Sequence, residues 1–229
     1  DPRRFATFGE FLDAYTTQMD AMLVGATENT KAHERQWPHI NPSPLLAGTI
    51  DNCLERGKDI GEGGATYNSV GCVGLGLANA CDSLLAIKQT VYEEKRFTID
   101  ELLEALEHDF QDKEPMRRYL LNRVPKWGNN DAGADELACH IADHYCDTIH
   151  SFTNGRGGPF QAALFSLDHR IEFGEVTGAL PDGRKARQSL SAGVGAMTGL
   201  DKNGVTGLIG SVTKLDFLQT PNGSVLDVM

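Results

Sequence analysis

Apolar residues recur at helical spacing along much of the chain. Thr7 and Glu10 form a capping box, and Phe8, Phe11, Leu12, Tyr15, Met19 and Met22 follow on one face, which predicts a helix of about four turns. Pro38, Pro42 and Pro44 then interrupt regular structure between Trp37 and Ala47, and a second helix is free to start beyond Leu46. Leu77, Cys81, Leu84 and Leu85 share a face in a further helix, with Lys88 and Lys95 near its negative pole. Thr98 and Glu101 form a second capping box ahead of Leu102, Leu103, Leu106 and Phe110. A short helix is expected from about Pro115 to Leu121, and a turn-rich connection from Pro125 to Gly133. Leu137, Ile141, Tyr145 and Ile149 then stripe a helix from Ala134 to about Phe152.

Beyond that helix the period changes. Ala163, Phe165, Leu167, His169 and Ile171 alternate with smaller or polar residues, which predicts a strand entered through the turn Arg156-Gly157-Gly158-Pro159. Pro181-Asp182-Gly183 reads as a tight turn at a surface hairpin tip, with Arg184, Lys185 and Arg187 as solvated cations behind it. Val212, Leu215 and Phe217 suggest a short helix or bend. Thr220-Pro221-Asn222-Gly223 turns the chain into an apolar terminal strand, Ser224 to Met229, expected to be buried.

With 40% apolar residues in 229, the chain can bury a core. A formal charge of -11 argues against nucleic acid or an anionic membrane surface as the main partner, and no run of about 18 apolar residues is present to span a bilayer. The 5 cysteines, Cys53, Cys72, Cys81, Cys139 and Cys146, are odd in number and lack CxxC spacing, which reads as reduced thiols in a cytoplasmic protein. The first residue is Asp1 and the last residues are apolar, so both ends are expected to be cut.

Two stretches tempt a chemical reading. The glycine-rich run Gly57 to Gly76 contains neither GxxxxGK[ST] nor GxGxxG, since Gly57-Lys58 is followed by Asp59; its glycines are read as structural, fixing Tyr67 and Asn68. His140 and His144 share a helix face as two zinc ligands would, with Asp143 beside them, but no third ligand is fixed and the flank of an amphipathic helix commonly carries such residues. No metal site is assigned.

The ordered motifs EGGATYN (62–68), GLGLANACDSLLAIK (74–88), RGGPF (156–160), GALPDGRKA (178–186), DKNGVTG (201–207) and NGSVLD (222–227) resemble the glycyl radical enzymes of the pyruvate formate-lyase family, and the GGAxYN form is more like its dehydratase and lyase branch. The resemblance implies an α/β fold, a ten-stranded barrel with outer helices, of which residues 1–229 form a single segment truncated at both ends. It implies catalysis by a thiyl cysteine and a glycyl radical, neither of them in this segment; Cys72 follows EGGATYN and lacks the family's Gly-Cys-x-Glu setting. No cofactor is expected to bind here. In the complete enzyme the radical would be installed by an S-adenosylmethionine iron-sulfur activating enzyme. The implied activity is cleavage of a C–O, C–N or C–C bond in a small polar substrate; alternatives are formate C-acetyltransferase activity or a non-catalytic scaffold. Implied partners are the substrate, the activating enzyme, the remainder of the barrel and a second copy in a homodimer. The family places an aromatic residue about five positions after RGGxF against the substrate. That position is Phe165, and alternation adds Leu167 and His169 on the same face.

Overall fold

The computed structural model describes residues 1–228. The elements are α1 (Phe8–Ile40), α2 (Pro44–Ala47), α3 (Cys53–Arg56), β1 (Val70–Gly74), α4 (Leu77–Ile87), α5 (Ile99–Glu107), α6 (Glu114–Arg123), α7 (Ala132–His150), β2 (Phe160–Leu164), α8 (His169–Val176) and α9 (Gly204–Val212). β1 and β2 are parallel, in register from Val70 opposite Phe160 to Gly74 opposite Leu164. A parallel pair needs a crossover, which α4 to α7 supply. On the other edge of β2, residues 222–225 run parallel to it: Asn222 N–H donates to the Ala162 carbonyl, Leu164 N–H to that of Gly223, and Val225 N–H to that of Leu164. The result is a short three-ply wall with β2 in the middle.

One face of this wall rests on helices. Phe160, Ala162 and Leu164 are core residues, and Val70 and Cys72 pack against them. α7 is the central support because its stripe of Leu137, Ile141, Tyr145 and Ile149 is buried as its periodicity required, and the Tyr145 hydroxyl donates to the Cys72 carbonyl at 2.8 Å. α4 lies behind α7. It is apolar nearly all round, as a helix buried on all sides must be, and continues into one π-helical stretch, Lys88–Glu93. α1 crosses α7 on the outside, where Asp20 accepts from Thr148 Oγ1 and pairs with His144 Nε2.

Both capping boxes form as their sequences require. The first helix is far longer than four turns: it runs 33 residues and carries Pro38 inside its last turn. One turn before that proline, the Glu34 carboxylate ties the helix to the 154–158 turn, accepting from Arg156 Nε at 2.8 Å and from Gly155 N–H at 2.7 Å.

The strand expected through Ala163 to Ile171 stops at Leu164. Leu167 takes a left-handed φ of 46°, and α8 begins at His169, so Phe165, Leu167 and His169 do not share a strand face. The terminal strand is also reduced, with Ser224 making one parallel bridge to Leu164 while Val225 and Val228 stay exposed. Met229, its expected last residue, lies outside the described residues. The Asp182–Arg184 turn is not a solvated hairpin tip, since Asp182 is 1% and Arg184 2% exposed. Among the described residues, no helix is long and apolar enough to cross a membrane.

Candidate active site

The two glycine-rich turns that precede the strands are locked to each other. Asn154 Oδ1 accepts from the N–H groups of Arg156 and Gly158, at 2.9 and 3.0 Å, which closes the turn. Its amide group donates to the Asn68 carbonyl, and Asn68 Nδ2 donates to the Ala65 carbonyl at 2.9 Å. Arg156 adds a bond to the Ser69 carbonyl. β1 and β2 therefore start at a common, fixed point. In parallel α/β sheets, ligands gather at the opposite, carboxyl ends of the strands.

At that end Gly74 leads through Gly76 into α4, and Leu164 leads through Phe165-Ser166-Leu167-Asp168 into α8. Strand alternation carries Phe165 onto the face of Gln161 and Ala163, opposite the helices. Phe165 is half-buried, and Val73 on the same face is 45% exposed. The Asn222 side chain also reaches this face, lying over Gly71 on the far side of β2. Sequence reasoning left Asn222 in a turn; only the third ply of the wall brings it here. Leu167 is exposed at the rim, and His169 is exposed in the first turn of α8, its Nδ1 3.0 Å from Glu172 Oε2. Phe165 is thus half-buried just past the end of β2, while Leu167 and His169 lie exposed beyond it and do not continue the strand.

Behind the strand ends lies a buried polar network. Asn79 and Asp82, three residues apart on α4, face the 125–130 and 178–195 connections. Asn79 donates to Asp182 Oδ2 and accepts from Ser191 N–H, both at 2.8 Å. Asp82 Oδ1 accepts from Trp127 N–H at 2.8 Å, while its Oδ2 is buried without a partner. Burial drives the Asp82 carboxyl up to about 7, against the opposing pull of Lys126 and of the Trp127 N–H, and Asp182 adds to the rise. Burial also raises Asp182 and lowers Lys126, whose Nζ donates to the Asp182 carbonyl at 3.1 Å. The Arg184 guanidinium caps the end of α8, donating to the carbonyls of Gly174 and Gly178 at 2.7 Å and of Gln188 at 2.9 Å.

The helical histidines form no such centre. His144 is occupied by Asp20, and no group of three or more His, Cys, Asp or Glu is arranged to hold a metal among the described residues. A cavity of about 660 Å³ lies between the N-terminal turn and α1, lined by Phe5, Phe11 and Tyr15 among others, away from the strand ends.

The site thus consists of a short parallel wall backed by helices, with an aromatic residue just past the end of its central strand. The chain belongs to the pyruvate formate lyase-like family, whose model matches residues 1–174. It is 34% identical to trans-4-hydroxy-L-proline dehydratase of Clostridioides difficile over 99% of this chain and 29% of that protein. It is 33% identical to isethionate sulfite-lyase of Nitratidesulfovibrio vulgaris over 92% of this chain and 26% of that protein. The glycerol-bound B12-independent glycerol dehydratase of Clostridium butyricum superposes with a TM-score of 0.94 at 38% identity, covering 98% of this chain and 28% of that one. A glycyl radical enzyme of Archaeoglobus fulgidus superposes at 0.91. The fold is thus part of the α/β barrel of glycyl radical enzymes, and the chain spans between a quarter and a third of the length of these relatives.

Proposed function

We propose that this chain forms a wall of a glycyl radical dehydratase or lyase acting on a small polar substrate. The observation that carries this reading is the match over 98% of the chain to the glycerol dehydratase structure, with 38% identity. In the complete protein a glycyl radical, installed by an S-adenosylmethionine iron-sulfur activating enzyme, would supply the hydrogen-abstracting chemistry. The residues of this chain act as a container: Gly71, Val73 and Phe165 line the open face of the wall, with Phe165 against the substrate and Leu167 and His169 at the rim. Val73 and Phe165 supply the apolar part of that face, and the Asn222 side chain beside Gly71 supplies an amide for a polar substrate group. The scaffold at the back, from Asn79 to Arg184, keeps that face rigid.

The test is anaerobic activation of the full-length protein with a radical activating enzyme, read by electron paramagnetic resonance and by product formation from glycerol, 1,2-propanediol, trans-4-hydroxy-L-proline and isethionate. A glycyl radical signal with turnover of one of these supports the reading. Failure to form the radical under conditions that activate a control dehydratase overturns it.

A further inference from the structure

Ser166 follows Phe165 and points the other way. It is 4% exposed, and its hydroxyl oxygen accepts from Gly193 N–H at 2.9 Å. Gly193 belongs to a strap, Ser191–Val194, that lies behind the end of β2 and is held at every residue but one by a group from a different part of the chain. Ser191 N–H is held by Asn79 Oδ1 at 2.8 Å, Val194 N–H by the Val225 carbonyl at 2.9 Å, and the Val194 carbonyl by Trp127 Nε1 at 2.8 Å. The strap approaches the third ply so closely that a Cβ on Gly193 would lie 2.0 Å from the Val225 carbonyl oxygen, and its φ of 52° also favours glycine. Trp127 is itself fully buried, with its N–H on Asp82.

Without this attachment the chain leaving β2 would be loosely directed. Its next residues are the exposed Leu167 and Asp168, and regular hydrogen bonding resumes only in α8. We propose that Ser166 is a positioning residue: through Gly193 and the Trp127-anchored strap it fixes the direction in which Phe165 leaves the strand, and so the shape of the pocket. The pocket half of this inference rests on the proposed radical-enzyme reading; the mechanical half, that the strap holds the strand end, does not.

The experiment uses the full-length protein carrying Ser166→Ala, Ser166→Thr or Trp127→Phe. Hydrogen exchange reads the strap without any need for activity. Ser166→Ala is expected to speed exchange at Gly193 by about two- to tenfold, the worth of one hydrogen bond, and Ser166→Thr, which keeps the hydroxyl, to restore it. Trp127→Phe removes the Nε1 donor together with part of the ring of a fully buried side chain, and is expected to loosen the same amides from the other end. In the activated enzyme Ser166→Ala should raise KM with kcat little changed. Unchanged exchange at Gly193 in Ser166→Ala overturns the proposal whatever the activity. Faster exchange with unchanged KM for the substrate turned over overturns the pocket half. If no radical forms in the unsubstituted protein, the proposed function fails and the exchange data alone decide the strap.

Discussion

Gly158 sits against the carbonyl of Asn68, so close that a Cβ at residue 158 would lie 2.0 Å from that oxygen. The contact joins the turn before β1 to the turn before β2. Gly158→Ala must push these two turns apart, because the obstacle is backbone on one side and a closed turn on the other. The expected cost is about 3 kcal/mol or more, seen as a lower urea midpoint. Gly157→Ala, where nothing lies within 4 Å of the added carbon but φ is 81°, should cost about 1 kcal/mol.

Phe165→Ala in the activated full-length enzyme is expected to lower kcat/KM by about tenfold or more, as loss of a large apolar contact does. His169→Ala should stay within about twofold, since the ring is exposed and meets Glu172 and Phe173 on its own helix. Steady-state kinetics at matched radical content checks both. Equal losses for the two variants would return His169 to the pocket.

Arg184→Lys is expected to destabilise the protein by about 3 kcal/mol. One ammonium cannot reach the carbonyls of Gly174, Gly178 and Gln188 that the planar fork satisfies together. Chemical denaturation measures the loss.

Asp82 makes stability depend on pH. Its folded pKa stands near 7 against an unfolded value near 3.8, so the folded state holds a proton that the unfolded state has released. The sign follows: the contribution of this group is fully present below about pH 4 and is lost as pH rises through about 7. Asp182 shifts in the same direction. Glu114 works oppositely but in another window, since Arg117 and Arg118 hold it near 2 and its contribution is lost only as pH falls from about 4.5. The melting temperature should therefore fall between about pH 5 and 7 and level off above, and Asp82→Asn, which keeps an acceptor for Trp127 N–H, should flatten that fall. An Asp82→Asn variant with the same pH slope as the unsubstituted protein would refute the assignment.

Much of the helical architecture was legible because its signals are local. A capping box and an apolar stripe lie within a few turns of chain, and Thr7, Thr98 and the Leu137–Ile149 stripe behave accordingly. β1 was not legible: Val-Gly-Cys-Val-Gly has two glycines, and it becomes a strand only by pairing with Phe160–Leu164 far along the chain. The alternation from Ala163 to Ile171 misled because it runs unbroken across a strand end, a left-handed residue and a helix start. The burial of Asp182 and Arg184 hides in residues that usually mark exposed turns. One signal could have revealed it: Asn79 and Asp82 are a polar pair at helical spacing inside an otherwise apolar helix, and such a pair requires buried polar partners.

The parallel register of β1 with β2 also sets a timetable. About ninety residues separate Val70 from its partner Phe160, so at a synthesis rate of about 5–20 residues per second β1 emerges roughly five to twenty seconds before the strand that completes it. The intervening helices need only near neighbours and fold far faster than that. The wall is therefore the last part to close, onto a helical bed already in place, and the waiting edge at Gly71–Val73 is where a nascent chain of this family is most open to capture by a chaperone or by another copy of itself.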